Sequence, residues 1–266
     1  MVHAAVSGAA HSAIDGIVRA HSPTGAVPAL GRSERLDAYA AALASGAAAH
    51  LGGDDDTGAA CPAAGLSLGW LQHSTGRRFV HATALGVEVQ LRVGQALPAT
   101  DADEGWHVTA TCGVIGATIT AGLLAELDDA ELVRAIGLAV SQTAGRVERS
   151  GSAASAMGVG KAAANGLLAV LLARTGVTAP DTALDGDRGL FAVLAPRAQP
   201  ACVLAGLGSE WHLLRAPERA PVCRGDRVAA AVRDLPEAPT LQSLVDAAIP
   251  QGAAHDPHGG PVRLRP

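Results

Sequence analysis

Hydrophobic positions recur at three- and four-residue steps through the middle of the chain, between residues 105 and 176. Small and aliphatic residues fill almost every position, and glycines and isolated polar groups interrupt them. This spacing is typical of helices, and the scarcity of polar residues predicts helices buried on most sides. The repeating positions are Ile115, Ile119 and Leu123 in a first helix and Leu132, Ile136 and Val140 in a second.

Capping residues mark the ends of these helices. A polar break at Asp128 separates the first two, and Asp128 can cap the second helix with Glu131 in its first turn. A third helix is predicted from Gly166 to Ala173, with Gly176 as its C-cap. The stretch from Thr143 to Met157 is predicted to be a loop.

The remaining segments predict shorter elements. Glu88 and Arg92 are spaced for an i,i+4 ion pair with a structural role. Further helices are predicted at Ser12–Ala20, at Ser33–Leu51 with Ser33 as cap, and at Asp226–Leu235.

Composition narrows the class of protein. The net charge is −5 without any basic run, so nucleic acid is not an expected partner. The four cysteines are widely spaced, which predicts free thiols in a reducing compartment and no metal site. Neither a signal peptide nor a membrane span is predicted, so a cytoplasmic protein is expected.

His107 is the polar group of the central stretch that invites chemistry. It follows Gly105-Trp106 at the expected start of a helix. A neutral imidazole in this place could move a proton or hold a carboxylate. The structural alternative is a capping or core histidine, and composition alone favours that alternative.

The same stretch resembles the central helical domain of the MmgE/PrpD family, which includes 2-methylcitrate dehydratase, cis-aconitate decarboxylase and iminodisuccinate epimerase. The family motif G-[FW]-H-x-T matches Gly105 to Thr109. The "LD…L..A.GLA.SQ..G" and "GKAA.NGLLA.LLA..G.T" runs match in order and spacing. Together the fragments cover Ala40 to about Arg224.

The resemblance implies a mainly α fold: an MmgE/PrpD-type helical domain with the family's α+β lid domain largely missing. It also implies a pair of helices within Gly65–Leu97 and at most a strand or two near Gly206 to Leu214. Residues 1–215 would form the helical domain, and residues 216–266 would hold a remnant of the lid region and a flexible tail. Family members are usually dimers through the helical domain. The apolar helix Gly113–Leu124, with Gly116 and Gly122 for close helix approach, likewise predicts a homodimer.

The resemblance also implies a site for a small-molecule substrate, without a metal or organic cofactor. His107 and Thr57 are its expected catalytic residues. His50 and Lys161 are expected to contribute little; Lys161 is interpreted as a solvated lysine in the first turn of a helix. The expected substrate-binding residues are Asp55, Asp56, Cys61, Ser155 and Arg219. The alternative for Asp54 to Asp56 is an acidic surface turn.

The chain departs from the family pattern at four positions that carry acid–base or carboxylate-binding groups. Where the family has an aspartate this chain has Gly53, and where the family has a histidine it has Cys61. Ser155 and Glu218 occupy the positions of two family lysines. Without the positive charges of that histidine and those two lysines, the site has few cationic groups to bind the negative charges of a di- or tricarboxylate. The departures predict no appreciable turnover of cis-aconitate or 2-methylcitrate.

Three functional hypotheses follow. The first is a diverged enzyme that performs cofactor-independent proton transfer, giving elimination, isomerisation or cyclisation of a carboxylated or carbonyl-containing molecule in secondary metabolism. The second is a conventional dehydratase, decarboxylase or epimerase of a small polycarboxylate. The third is a non-catalytic binding or assembly subunit. The fold alone does not choose among them.

Overall fold

The computed structural model describes residues 1–53, 58–97, 107–143, 145, 153–194, 198–215 and 227–249. Most of these residues are helical. The helices are α1 Val2–Gly8, α2 Ser12–His21, α3 Ala38–Leu51, α4 Ala60–Leu71, α5 Gly76–Ala96, α6 Val108–Leu124, α7 Asp129–Ser141, α8 Ala154–Arg174, α9 Leu190–Leu194, α10 Ala201–Leu204, α11 Arg227–Asp234 and α12 Gln242–Ala248.

Two short strands complete the described architecture. β1, Val27–Pro28, pairs antiparallel with β2, Arg35–Leu36, and Val27 lies opposite Leu36. Single 3₁₀ turns occur at His212–Arg215 and Leu235–Glu237. The prediction of a mainly α fold is confirmed.

The core is built around α6 and α8. Helix α6 contacts α4, α5, α7 and α8, while α8 also packs along α3. By length and composition α8 could cross a membrane, but most of its surface is buried among these neighbours. Its exposed Lys161 lies in the middle of the helix. This is the pattern of a core helix.

Glycines allow the helices around α6 to approach closely. A Cβ atom at Gly116 would lie 2.6 Å from the carbonyl oxygen of Gly86 on α5, and one at Gly122 would lie 2.7 Å from Leu132 on α7. Both glycines of the predicted dimer helix therefore serve packing within the chain. The homodimer stays a prediction, without support from these two residues.

Gly116→Ala should destabilise the domain by about 1–3 kcal/mol, because the added methyl group meets backbone from α5 and the Cys61 sulfur at 2.7 Å. Urea unfolding measures this loss. Gly16→Ala in α2 is the matched control, since nothing lies within 4 Å of its Cβ position. It should stabilise by about 0.5–1 kcal/mol through helix propensity. Equal effects of the two substitutions would contradict the proposed close packing.

Two predicted helix ends are confirmed. The Asp128 side chain accepts from the Glu131 backbone and the Glu131 side chain accepts from the Asp128 backbone, which is a capping box. At the end of α8, Gly176 has φ +85°, and the amides of Gly176 and Val177 donate to carbonyls of the last turn.

The start of α8 was predicted too late. It begins at Ala154, so Lys161 lies two turns inside the helix rather than in its first turn.

The predicted start of α3 at Ser33 is wrong. Arg35 and Leu36 are extended because they pair with β1. Asp37 is the N-cap instead, and its carboxylate accepts from the amide of Ala40 at 2.9 Å.

The C-terminal region contains the predicted helix as α11, but α12 was not predicted from the sequence. Leu241 and Leu244 are buried in the same core as α4 and α5, and the Gly76 amide donates to the Ala238 carbonyl at 2.9 Å. The described residues 227–249 thus pack on the helical domain. The predicted short N-terminal helix is confirmed as α2, and α1 precedes it.

The predicted strand near Gly206 to Leu214 is wrong, because a buried ion pair takes the backbone groups that a neighbouring strand would use. Glu88 and Arg92 form the predicted i,i+4 pair at 2.7 Å, and both side chains are almost fully buried. The Glu88 carboxylate accepts from the amides of His212 and Leu213 at 3.1 and 2.8 Å. The segment therefore ends in the 3₁₀ turn His212–Arg215, which packs against α5.

Candidate functional site

His107 lies at the N-cap position of α6, but its side chain makes no capping hydrogen bond. Its amide donates to the Gly145 carbonyl at 2.6 Å, and its carbonyl accepts the first helical bond from Thr111 at 2.9 Å. Backbone contacts thus fix the residue, and the half-buried imidazole is directed elsewhere. The capping alternative for the side chain does not hold.

The His107 ring contacts a second imidazole. The ring centroids of His50 and His107 are 5.8 Å apart, and the planes stand at 84°, an edge-to-face contact. His50 comes from the last turn of α3. The end of α3 and the start of α6 therefore bring together two residues that are far apart in the sequence.

Ser155 completes the group. Its Oγ lies 3.0 Å from Nε2 of His50, and which atom donates depends on the histidine tautomer. Ser155 is the second residue of α8. All three side chains are half-buried. We refer to these residues as the His50–His107–Ser155 cluster.

Close packing of α3 on α8 explains why His50 and Ser155 meet. A Cβ atom at Gly46 would lie 3.1 Å from the Gly160 Cα, and one at Gly160 would lie 2.4 Å from the Leu43 carbonyl oxygen. The two helices therefore approach nearly backbone to backbone. His50 follows Gly46 by one turn and so faces α8.

The electrostatics of the cluster come from two helix ends. Both α6 and α8 begin at it, and the first turn of each helix has amide groups without intrahelical acceptors. The macrodipoles place partial positive charge there. The cluster thus offers imidazole and hydroxyl groups for proton transfer and amides for an anionic oxygen.

Cys61, a predicted substrate-binding residue, lies apart from this cluster. It is fully buried in α4, its thiol donates to Oε1 of Gln90 at 3.3 Å, and it packs over Gly116. Burial raises the pKa of the Cys61 thiol to about 12. The thiol is therefore neutral at physiological pH, and its contacts are those of a core residue. Like Cys202, it is a free thiol.

The other predicted site residues lie outside the described residues: Thr57, Asp55, Asp56 and Arg219. The structure thus places His107 and Ser155 together and Cys61 apart. Within the described ranges, no three His, Cys, Asp or Glu side chains are grouped to hold a metal ion.

His50 is the residue that sequence reasoning undervalued. It was expected to contribute little, yet it contacts both other members of the cluster. The signal was its one-turn spacing from Gly46. A glycine that permits close helix approach marks the face of α3 that meets another helix, and His50 lies on that face.

The fold and the cluster define a class: a mainly helical domain with a histidine-based polar site between helix ends. The chain belongs to the MmgE/PrpD family. The family model described as the MmgE/PrpD N-terminal domain matches residues 1–203. The resemblance seen in the sequence is therefore confirmed.

Curated relatives carry decarboxylase names. The chain is similar to a protein named cis-aconitate decarboxylase from Aspergillus terreus, with 32% identity over 140 residues, 49% of this chain and 29% of that protein. It is also similar to a cis-aconitate decarboxylase-like protein, oryM, from Aspergillus oryzae, with 29% identity over 165 residues, 57% of this chain and 33% of that protein. The matches thus span about a third or less of these relatives.

Proposed function

We propose that this domain carries a cofactor-independent proton-transfer site for a small carboxylated or carbonyl-containing molecule. The observation that carries the proposal is the edge-to-face pair of His50 and His107, with Ser155 in hydrogen-bond range of His50. The decarboxylase names of the relatives support a dehydratase- or decarboxylase-type enzyme. Elimination, isomerisation and cyclisation all begin or end with such a transfer.

Each group has a role in this proposal. His107 at the start of α6 is the base that accepts a proton from carbon, since a neutral imidazole has a ring nitrogen that can accept one. The Ser155 hydroxyl, bonded to His50, donates to the substrate carbonyl as charge develops on its oxygen. The amides that begin α8 hold the substrate carboxylate.

The expected substrate carries less charge than a tricarboxylate. Ser155 and Glu218 stand where the family resemblance places lysines. The sole lysine of the chain, Lys161, is exposed. Because the site has fewer cations, a substrate with one carboxylate or a neutral carbonyl compound fits it better than a citrate-like molecule.

We further propose that the protein is cytoplasmic and forms a homodimer. Sedimentation at micromolar concentration would test the dimer.

Hydrogen–deuterium exchange at carbon tests the proposal without knowledge of the product. The full chain is incubated in D₂O with a 2-oxo monocarboxylate, a 3-oxo ester and cis-aconitate, and exchange is followed by NMR. We expect the rate of exchange at the carbon next to the carbonyl group to be at least about 100-fold higher than the rate with free imidazole. We expect no appreciable conversion of cis-aconitate. Conversion of cis-aconitate would support the conventional family activity instead. No exchange with any compound would favour a non-catalytic subunit.

A further inference from the structure

Ser155 and His50 have the geometry of a nucleophile and its base. Oγ and Nε2 lie 3.0 Å apart, within the range of about 2.6–3.2 Å that such pairs show. The residues are 105 positions apart in the sequence. The close crossing of α3 and α8 at Gly46 and Gly160 therefore builds the pair.

A structural explanation for the serine is a helix cap, and the structure argues against it. The N-cap of α8 is Ala153, and no side-chain capping bond is made at this end. Ser155 follows two residues later, inside the first turn. Its hydroxyl contacts His50 on another helix.

The start of α8 supplies groups for an oxyanion. The amide of Ala156, the residue after Ser155, falls in the first turn of a 21-residue helix, where the macrodipole places partial positive charge. In serine hydrolases the amide of the residue after the nucleophile stabilises the developing negative charge, and Ala156 holds that position here. The edge contact with His107 restricts the His50 ring and helps to orient it.

We propose that Ser155 is a nucleophile and His50 its general base, for acyl transfer from a small ester or thioester. Ser155 Oγ attacks the acyl carbon while its proton passes to His50 Nε2. The bond from carbon to the leaving oxygen or sulfur breaks, and the leaving group takes that proton. Water then attacks the acyl-serine, gives a proton to His50, and Ser155 departs and regains it. The balance is ester plus water to acid plus alcohol or thiol.

This activity goes beyond the proposed proton transfer, because it needs a covalent bond to the protein. The test is labelling of the full chain with a fluorophosphonate probe, read by intact mass and peptide mapping, beside hydrolysis of 4-nitrophenyl acetate. Wild type should gain one adduct, at Ser155. Ser155→Ala should lose it, and His50→Gln should label at least about 100-fold more slowly.

Ser141→Ala is the matched control. Ser141 is an exposed serine at the end of α7, and its hydroxyl donates to the Leu138 carbonyl of its own helix at 2.7 Å. This variant should label as wild type does. Circular dichroism shows that each variant is folded. A folded wild type without an adduct at Ser155, or equal labelling of Ser155→Ala, would overturn the inference. The exchange of carbon-bound hydrogen in D₂O tests the proton-transfer proposal independently of this labelling. One proposal can therefore be contradicted while the other is supported.

Discussion

Arg92→Met is expected to lower the free energy of unfolding by about 3–5 kcal/mol, because it leaves the buried Glu88 carboxylate without its cation. That loss is a large part of the roughly 5–15 kcal/mol that stabilises a typical domain. Urea unfolding followed by circular dichroism measures it. The substitution keeps an unbranched apolar chain of similar length, so the change reports mainly on the guanidinium.

The guanidinium also holds residues 198–215 against α5. It donates to the carbonyl oxygens of Ala205 at 2.6 Å and Glu210 at 2.5 Å, with longer contacts to Val203 and Gly206. Leu204 and Leu214 in this segment are 70% and 79% exposed, so little apolar burial secures it there. We therefore expect Arg92→Met to expose the segment to limited proteolysis before the rest of the domain.

Arg77→Met is the matched control. Arg77 also lies on α5 and pairs with Glu237 at 3.0 Å, but these side chains are 73% and 80% exposed. An exposed pair contributes less than about 1 kcal/mol, since water solvates both charges after the substitution. Equal losses in the two variants would show that the burial of Glu88 and Arg92 has no energetic consequence.

The buried pair also gives the wild-type protein a pH signature. Burial raises the pKa of the Glu88 carboxyl, but the amides of Leu213 and His212 and the Arg92 guanidinium outweigh it and hold the pKa below its ordinary value of 4.5. A folded pKa below the unfolded one means that the stabilisation is present above pH 4.5 and is lost as pH falls through the folded value. Glu88→Gln should therefore lack this acid-sensitive component.

This pair shows what local spacing can predict. Glu88 and Arg92 are one helical turn apart, and that distance alone predicts their contact. Their partners at His212 and Leu213 lie over 120 positions away in the sequence. The family resemblance around Trp211 predicted extended backbone there. The structure instead satisfies the backbone with buried side chains, which no local pattern records.

The candidate site shows the same limit. The motif around His107 and the family position of Ser155 were both visible in the sequence, but their common partner was not. His50 joins them only because Gly46 and Gly160 let two helices approach closely. Cys61 held a family site position, yet the fold buries it at a helix contact. A position shared with relatives therefore did not decide whether a side chain faces the cluster.

The His107→Ala variant should lose at least about 100-fold of the wild-type carbon exchange in D₂O while staying folded, because it removes the proposed base. Its side chain makes no capping bond, so the melting temperature should change little. Lys161→Ala is the matched control. Lys161 is exposed on α8, six residues after Ser155, and should exchange as wild type does.

A double variant then tests whether the two imidazoles act as a unit. His50→Ala alone should also lower exchange strongly, contrary to the small effect expected from sequence, since its ring contacts both His107 and Ser155. If the rings act together, the double variant His50→Ala/His107→Ala should exchange carbon-bound hydrogen no more slowly than the less active of the two single variants. Two independent losses that multiply would separate their roles. Full exchange in a folded His107→Ala protein would contradict the assignment of His107 as the base for carbon exchange.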